Sequence, residues 1–363
     1  MNENQKANIL PHQDPAARAH VLALLRCYAE NSMSYLALEK DKLWFFSSSV
    51  DGVAAYALSG HDMVICGDPI CARGDLPVFL HELRRYALRG RLRLIFLSAT
   101  KENLPTYRRA GFGCYKSGEE AIFDLSTYTM KGRQAANARA LVNQARRAGL
   151  TVCEYCPDTA KNPAVEKQFH EITELWLAEK HTSLLQFALG GIGFDEENDK
   201  RYFYAADASG LIHGFMVFLP YRQKQGYMAD VMRRRPACAH GTMEIIFCDA
   251  LAKFKSESVS WASLGIAPLA NTVTKQQHTL FERLERYNFR NMNDIYGFQP
   301  LWFAKNKYGP TAWEPVYIVC RPKHMTPSMG YATINVLDTK GFHDYVDAFL
   351  AARQRQKEAR RGQ

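Results

Sequence analysis

Asp230 and Arg233 stand three residues apart in a stretch that reads G-Y-M-A-D-V-M-R-R-R-P-A-C-A-H-G-T-M-E from Gly226 to Glu244. A carboxylate can orient or deprotonate a hydroxyl, and a guanidinium can hold an oxyanion through two parallel hydrogen bonds. A salt bridge between the two that merely shapes the chain is an equal alternative. Arg234, within this stretch, and Gly265, beyond it, are placed among the substrate-binding residues, and Gly265 with Pro268 is read as shaping the loop after a strand. Lys305 and Lys307 are two apart, on one side if extended, and can grip an anionic group; solvated lysines are the plainer reading. Glu314 can receive a cation, or serve as the structural partner of a nearby arginine.

The elements that must carry these residues follow from local pattern. The residues before Asp230 are strand-like, and Pro236 pushes Arg235 out of helical geometry, so the Arg-Arg-Arg-Pro-Ala run is read as a loop. After Gly241, apolar residues at Met243, Ile246, Phe247, Ala250 and Leu251 recur at helical spacing. The pair therefore lies where a sheet opens at its carboxyl edge, a common place for a site. Upstream, Asp14-Pro15 opens a helix, and short strands at residues 43–46, 53–58 and 63–66 form a meander. A helix at 76–88, a strand at 92–97, a short helix at 104–110 and a strand at 121–125 complete a first pass. A helix at 169–179, strands at 202–206, 212–219 and 227–231, the helix after Gly241 and a strand at 260–264 make a second. Gly111-Phe112 and Gly297-Phe298 are a local echo, each read as the step from a helix into a strand.

This order is that of an α/β (α+β) protein with tandem N-acetyltransferase-like domains joined by a basic helix. The expected organisation is a flexible start at 1–13, a first domain at 14–128, a connecting helix at 129–150, a second, catalytic domain at 151–338, and a C-terminal helix with a basic tail at 339–363. Arg133, Arg139, Arg146 and Arg147 make the connecting helix strongly positive. It is either a solvated surface helix or one that tracks the phosphates of an RNA. The C-terminal helix either docks on the second domain or rests on an anionic membrane.

Composition bounds the rest. A chain of 363 residues with 47% hydrophobic residues can build substantial cores, and a net charge of +9 favours an anionic partner, nucleic acid or membrane. No apolar run approaches the roughly 20 residues that span a bilayer, and the start lacks the pattern of a signal peptide, so a cytoplasmic protein is expected. Nine scattered cysteines fit a reducing compartment. Cys153-x-x-Cys156 lies in an alternating strand pattern without a second pair, so no metal site is expected. Arg108-x-x-Gly111-x-Gly113 matches the motif with which acetyl-CoA enzymes cradle pyrophosphate, but it ends a helix instead of opening one, and no cofactor is expected.

Several ordered blocks resemble one family. They are L-A-L-E-K-D-K-L-W-F-F with Lys42, G-D-P-I from Gly67, Y-K-S-G-E-E-A-I-F-D-L from Tyr115, and the helix with Gly132, Arg139 and Asn143. D-V-M-R-R-R-P with G-T-M-E, S-L-G-I-A-P-L, and K-N-K-Y-G-P…W-E-P-V-Y follow. Together they look like the catalytic domain of the phosphatidylglycerol lysyltransferases, the aminoacyl-phosphatidylglycerol synthases also called multiple peptide resistance factors. The resemblance implies a tandem acetyltransferase-like fold that passes an aminoacyl group from a charged tRNA to the hydroxyl of phosphatidylglycerol without coenzyme A, at the inner face of the cell membrane. Departures from the family pattern are Ala237, Glu244 and Val316 and one residue inserted before Trp313; they bear on the amino acid and the acceptor more than on the fold. Members usually carry a membrane-embedded flippase domain, absent from this sequence, so lipid export is not expected of it.

In that chemistry Asp230 orients or deprotonates the hydroxyl, or binds the aminoacyl ammonium, and Arg233 holds a phosphate or the developing oxyanion. Lys305 and Lys307 contact the lipid headgroup or the tRNA acceptor end, Glu314 reads a cationic aminoacyl side chain, and Arg133, Arg139, Arg146 and Arg147 contact tRNA. Glu119 and Glu120 are given a structural role. Lysine is the first choice of amino acid and alanine the second. Transfer to an amine of a peptide or cell-wall precursor, and a non-catalytic tRNA- or membrane-binding protein, are the alternatives.

Overall fold

The computed structural model describes residues 14–179, 186–194, 199–268 and 298–337. The chain opens with α1 (Pro15–Tyr28), capped by Asp14, whose Oδ1 accepts from Ala17 N at 3.0 Å. Strands β1 (Leu43–Phe46), β2 (Gly52–Ser59), β3 (Asp62–Cys66) and β4 (Ile70–Cys71) lead to α2 (Leu76–Arg89), β5 (Arg93–Thr100), α3 (Leu104–Arg109) and β6 (Gly113–Asp124). Helix α4 (Ala136–Arg147) joins the halves. It is shorter than the expected span because the stretch with Gly132 at φ 89° turns before the helix begins, and Gly149 at φ 82° ends it.

The second half runs β7 (Thr151–Tyr155), α5 (Pro163–Glu179), β8 (Arg201–Ala206), β9 (Ile212–Tyr221), β10 (Gly226–Arg234), α6 (Thr242–Ser256) and β11 (Trp261–Pro268). It closes with α7 (Phe298–Asn306), β12 (Ala312–Arg321) and α8 (Pro327–Leu337). The expected flexible start and C-terminal helix lie outside the described residues, as does Gly297 of the echo. Phe298 opens a helix, not a strand, so only Gly111-Phe112 marks the expected step, from α3 into β6.

All twelve strands among the described residues share one sheet, in the order β1-β2-β3-β5-β12-β6-β11-β10-β9-β8-β7, with β4 on β2. The two halves exchange strands: β12 enters between β5 and β6, and β6 pairs on its other edge with β11. Among the described residues two strand contacts are parallel, β3 with β5 and β10 with β11. The second pairs only Gly226–Met228 with Trp261–Ser263, after which the strands part.

Helices cover both faces. Ala138, Val142 and Ala145 of α4 and Ile245, Ile246 and Phe247 of α6 fill one core, while Phe169 and Ile172 of α5 fill another on Phe215 and Val217. α4 crosses α6 so closely that a Cβ on Gly241 would stand 2.0 Å from Leu141 O, and Gly241 has φ 86°. Gly241→Ala should therefore lower the unfolding free energy by about 3 kcal/mol, by combined backbone strain and overpacking; urea denaturation checks this.

Candidate functional site

Asp230 is the extra residue of a β-bulge: the register of β10 on β9 shifts between Ala229 and Val231. A bulge re-aims a side chain, and here it turns a carboxylate into the protein, where it is 4% exposed. Gly190 N donates to Oδ2 at 2.8 Å, and Oδ1 is buried with no hydrogen-bond partner among the described residues. Burial pushes this carboxyl up to about 7; Lys200, the Gly190 N–H and Lys42 pull it down, and Glu39 pushes it further up. A group that ionises near neutral pH, with a vacant acceptor oxygen, is suited to take a proton from a hydroxyl.

Arg233 and Arg234 continue β10, paired with Phe215 and Gly214, so the expected loop starts only at Arg235. Pro236 restricts the residue immediately before it and leaves the two preceding arginines free to extend the strand. Alternation then sends the two side chains to opposite faces. Arg233 is buried, donates to Thr173 Oγ1 at 2.8 Å, and its guanidinium lies 5.4 Å from the centre of the Trp176 ring. Burial lowers its basicity, and the Asp230 charge opposes this without a direct salt bridge among the described contacts.

Arg234 faces a pocket of about 610 Å³ between the end of β10, the start of α6 and α7. Lys305, Lys307, His240 and Glu244 line it too, with Leu264, Met216 and Met232 as apolar floor. The first-turn N–H groups of α6 add positive potential. This polar rim over an apolar floor suits an anionic group attached to a carbon chain or a nucleoside.

The two lysines are not on an extended segment. Lys305 is in the last turn of α7 and Lys307 just beyond it. Lys305 is buried, and its Nζ donates to Ile266 O at 2.7 Å. Burial pushes its ammonium down to about 7 and Glu120 opposes this. Lys307 Nζ instead meets Glu244 Oε1 at 2.5 Å.

Gly265 is likewise in β11, not in a loop after it. The register on β6 shifts between Ser263 and Ile266, and Gly265 takes φ 73° in that bulge. A Cβ there would lie 3.7 Å from Lys305 Nζ and 3.8 Å from Ala229 O. Lys305 and the backbone beside Asp230 thus approach the same point, where β10 and β11 part.

Glu120, expected to be structural, belongs with this group. It accepts from Ser263 Oγ, and Ser263 Oγ in turn accepts from Gly265 N at 2.8 Å. Burial raises its carboxyl and the Ser263 and Ser32 hydroxyls oppose this. The signal available was adjacency: in a strand, Glu119 and Glu120 must face opposite ways. Glu119 pairs with Lys116 at 2.6 Å. Glu314, opposite Glu120 in the β12–β6 ladder, is held by Arg222, whose Nη2 is 3.1 Å from each carboxylate oxygen.

The helix arginines differ among themselves. Arg133 and Arg147 are exposed. Arg139 donates to Met130 O and Gly132 O and so braces the turn before α4, and Arg146 meets Asp249 at 2.8 Å. Cys153 and Cys156 are exposed, and no group of metal-binding side chains occurs among the described residues. In the Arg108-x-x-Gly111-x-Gly113 run, a Cβ on Gly113 would meet Lys323 O at 1.8 Å, so backbone is packed against it.

A mixed sheet built from two strand-exchanging halves, with a bulged strand parting from its parallel neighbour at a polar centre, defines a tandem N-acetyltransferase-like protein. The phosphatidylglycerol lysyltransferase C-terminal family matches residues 22–320, and the chain belongs to that family. It is 28% identical over 311 residues to a phosphatidylglycerol lysyltransferase of Bacillus subtilis strain 168, which covers 86% of this chain and 36% of that protein. For one of Staphylococcus epidermidis strain RP62A the identity is 27% over 300 residues, with 82% and 35% covered. The chain thus spans about a third of the length of these curated relatives. The solved structure of L-PGS from Bacillus licheniformis superposes with a TM-score of 0.75 at 27% identity, over 91% of this chain and 97% of that one.

Proposed function

We propose that this protein transfers an amino acid, lysine first and alanine second, from aminoacyl-tRNA to a hydroxyl of phosphatidylglycerol. The observation that carries the reading is the bulged Asp230: one oxygen is held by Gly190 N and the other has no partner among the described residues, on the strand whose Ala229 O lies near the point that Lys305 approaches. In the reaction the lipid hydroxyl oxygen attacks the aminoacyl ester carbon while Asp230 receives the hydroxyl proton. The tetrahedral oxyanion collapses, the bond to the ribose oxygen breaks, and that oxygen leaves with the proton Asp230 received, which restores the carboxylate. Arg234 and Lys305 neutralise a substrate phosphate in the pocket, and Arg233 supports the Asp230 side of the sheet electrostatically. Exposed Arg133 and Arg147 contact the tRNA backbone. Glu314 is shared between Arg222 and the cationic side chain of the transferred residue. No helix among the described residues is long and apolar enough to cross a membrane, and the protein works at the cytoplasmic membrane surface through its positive charge.

Incubating the protein with a pool of labelled aminoacyl-tRNAs and bacterial lipid, then extracting with organic solvent, tests this. Label should enter the lipid phase and identify the amino acid by its tRNA. Label found in a peptide or cell-wall precursor would replace the acceptor, and label that stays on bound tRNA would leave a binding protein.

A further inference from the structure

We propose that Glu39 and Lys200, an ion pair contributed by the two halves, are positioning residues that hold and electrostatically balance Asp230 through the Gly190–Gly191 turn. Glu39 follows the first helical turn after α1, far from Asp230 in sequence. Its Oε1 is 2.8 Å from Lys200 Nζ, and its Oε2 accepts from Gly191 N at 3.0 Å. Lys200 Nζ also donates to Gly191 O at 2.8 Å. Both polar groups of Gly191 are therefore bound by the pair, and the preceding N–H, Gly190 N, is the one that holds Asp230 Oδ2.

The packing leaves no slack. A Cβ on Gly190 would fall 2.4 Å from Asp230 Oδ2 and 2.9 Å from Glu39 Oε1. Lys200 is itself fixed by its neighbour: Asp199 receives Arg26 Nε at 2.9 Å, Tyr35 Oη at 2.6 Å and Lys224 Nζ at 2.6 Å. These contacts hold the carboxyl of Asp199 down to about 2 against the effect of its burial. A loop of the second half is thus clamped to the first half on both sides of the peptide bond joining residues 199 and 200.

The other charged and titratable groups around Asp230 are Lys42, bound to Asp41 and lying 4.8 Å from the Phe187 ring centre, Arg233 on its own strand, and the thiol of Cys66 on β3. Of all these, Glu39 is the negative group that opposes ionisation of Asp230, and Lys200 is the first of the positive ones that favour it. Removing either charge must move Asp230 in opposite directions.

The inference rests on the reading of Asp230 as the centre of the transfer site, but its test needs no substrate. Protein labelled with ¹³C at the aspartate carboxyls is titrated by NMR, with Asp230 assigned by its loss in Asp230→Asn. Glu39→Gln should lower the Asp230 midpoint by about 1 pH unit or more, and Lys200→Met should raise it by a similar amount. Lys200→Arg should restore it toward the wild-type value. If Glu39→Gln does not fold, Glu39→Asp serves: it keeps the charge, shortens the reach to Gly191, and should raise the midpoint. Midpoints unmoved in folded variants would overturn the proposal. The pH–rate profile of transfer should shift with the midpoints. Midpoints that move in a protein without transfer activity overturn the proposed function alone, whereas transfer with unmoved midpoints overturns this inference alone.

Discussion

Asp230→Asn will abolish aminoacyl transfer and yet make the protein more stable than wild type at pH 8. The loss of rate should be 10³-fold or more, because an amide cannot accept the hydroxyl proton. The gain in stability follows from linkage. The Asp230 carboxyl is raised from 3.8 to about 7 in the folded protein, so the folded state holds this proton more tightly than the unfolded chain. Stability contributed by the group is present below the unfolded value and is lost as pH rises toward 7, at a cost on the order of 4 kcal/mol at full ionisation. Asparagine carries no such cost. Urea unfolding at pH 8 should favour the variant, and the difference should shrink at pH 5. Wild-type transfer should rise with pH through about 7, since the ionised carboxylate is the acceptor. A variant less stable than wild type at pH 8 would contradict the buried, strained carboxylate.

Lys305→Met should show the mirror image. Its ammonium is lowered from 10.5 to about 7 by burial, so the folded protein resists charging it. The destabilisation is full below about pH 7 and disappears as pH rises toward the unfolded value. The variant should gain stability relative to wild type at pH 6 and lose that advantage by pH 10. Ile266 O loses a donor in it, which offsets roughly 1 kcal/mol. Transfer should fall about 10²-fold, mainly through a higher KM, because a positive contact to substrate phosphate goes with the amine. Steady-state kinetics at several salt concentrations, beside unfolding at the two pH values, check both halves. Together the two variants should move the pH of maximum stability in opposite directions.

Much of the local architecture was legible because local chemistry determines it. Asp14-Pro15 caps α1, Gly149 ends α4, and the turns of the first meander fall where glycine and aspartate put them. The strand-to-helix step around Asp230 was legible for the same reason. The loop assignment for Arg233 and Arg234 overextended a restriction that Pro236 imposes on one residue. What periodicity cannot tell is which edge a strand will pair with, so nothing in β12 announced that it enters between β5 and β6. Long-range polar partners were hidden similarly. Glu39 and Lys200 are ordinary charged residues in sequence, and Glu120 looks like its neighbour until the ladder turns them to opposite faces. The first half also contains a parallel pair, β3 with β5, and there Asp68 is fully engaged by Asn31, Thr100 and Tyr107. Both oxygens of Asp68, just past β3, are bound, whereas Asp230 keeps one oxygen without a partner among the described residues.

The strand exchange sets a timetable for synthesis. β5 and β6 leave the ribosome early, yet β12, which separates them, emerges roughly 200 residues after β6. At bacterial and eukaryotic elongation rates of 5–20 residues per second, the first half waits about 10–40 s for its missing strand. During that interval the facing edges of β5 and β6 lack their native neighbour, and their unpaired backbone groups are open to pairing with other nascent chains. The protein should therefore depend on chaperones acting during translation more than its finished core suggests. A slow stretch of codons between the end of β9 and the start of β12 would lengthen the exposure, and one placed before β5 would not.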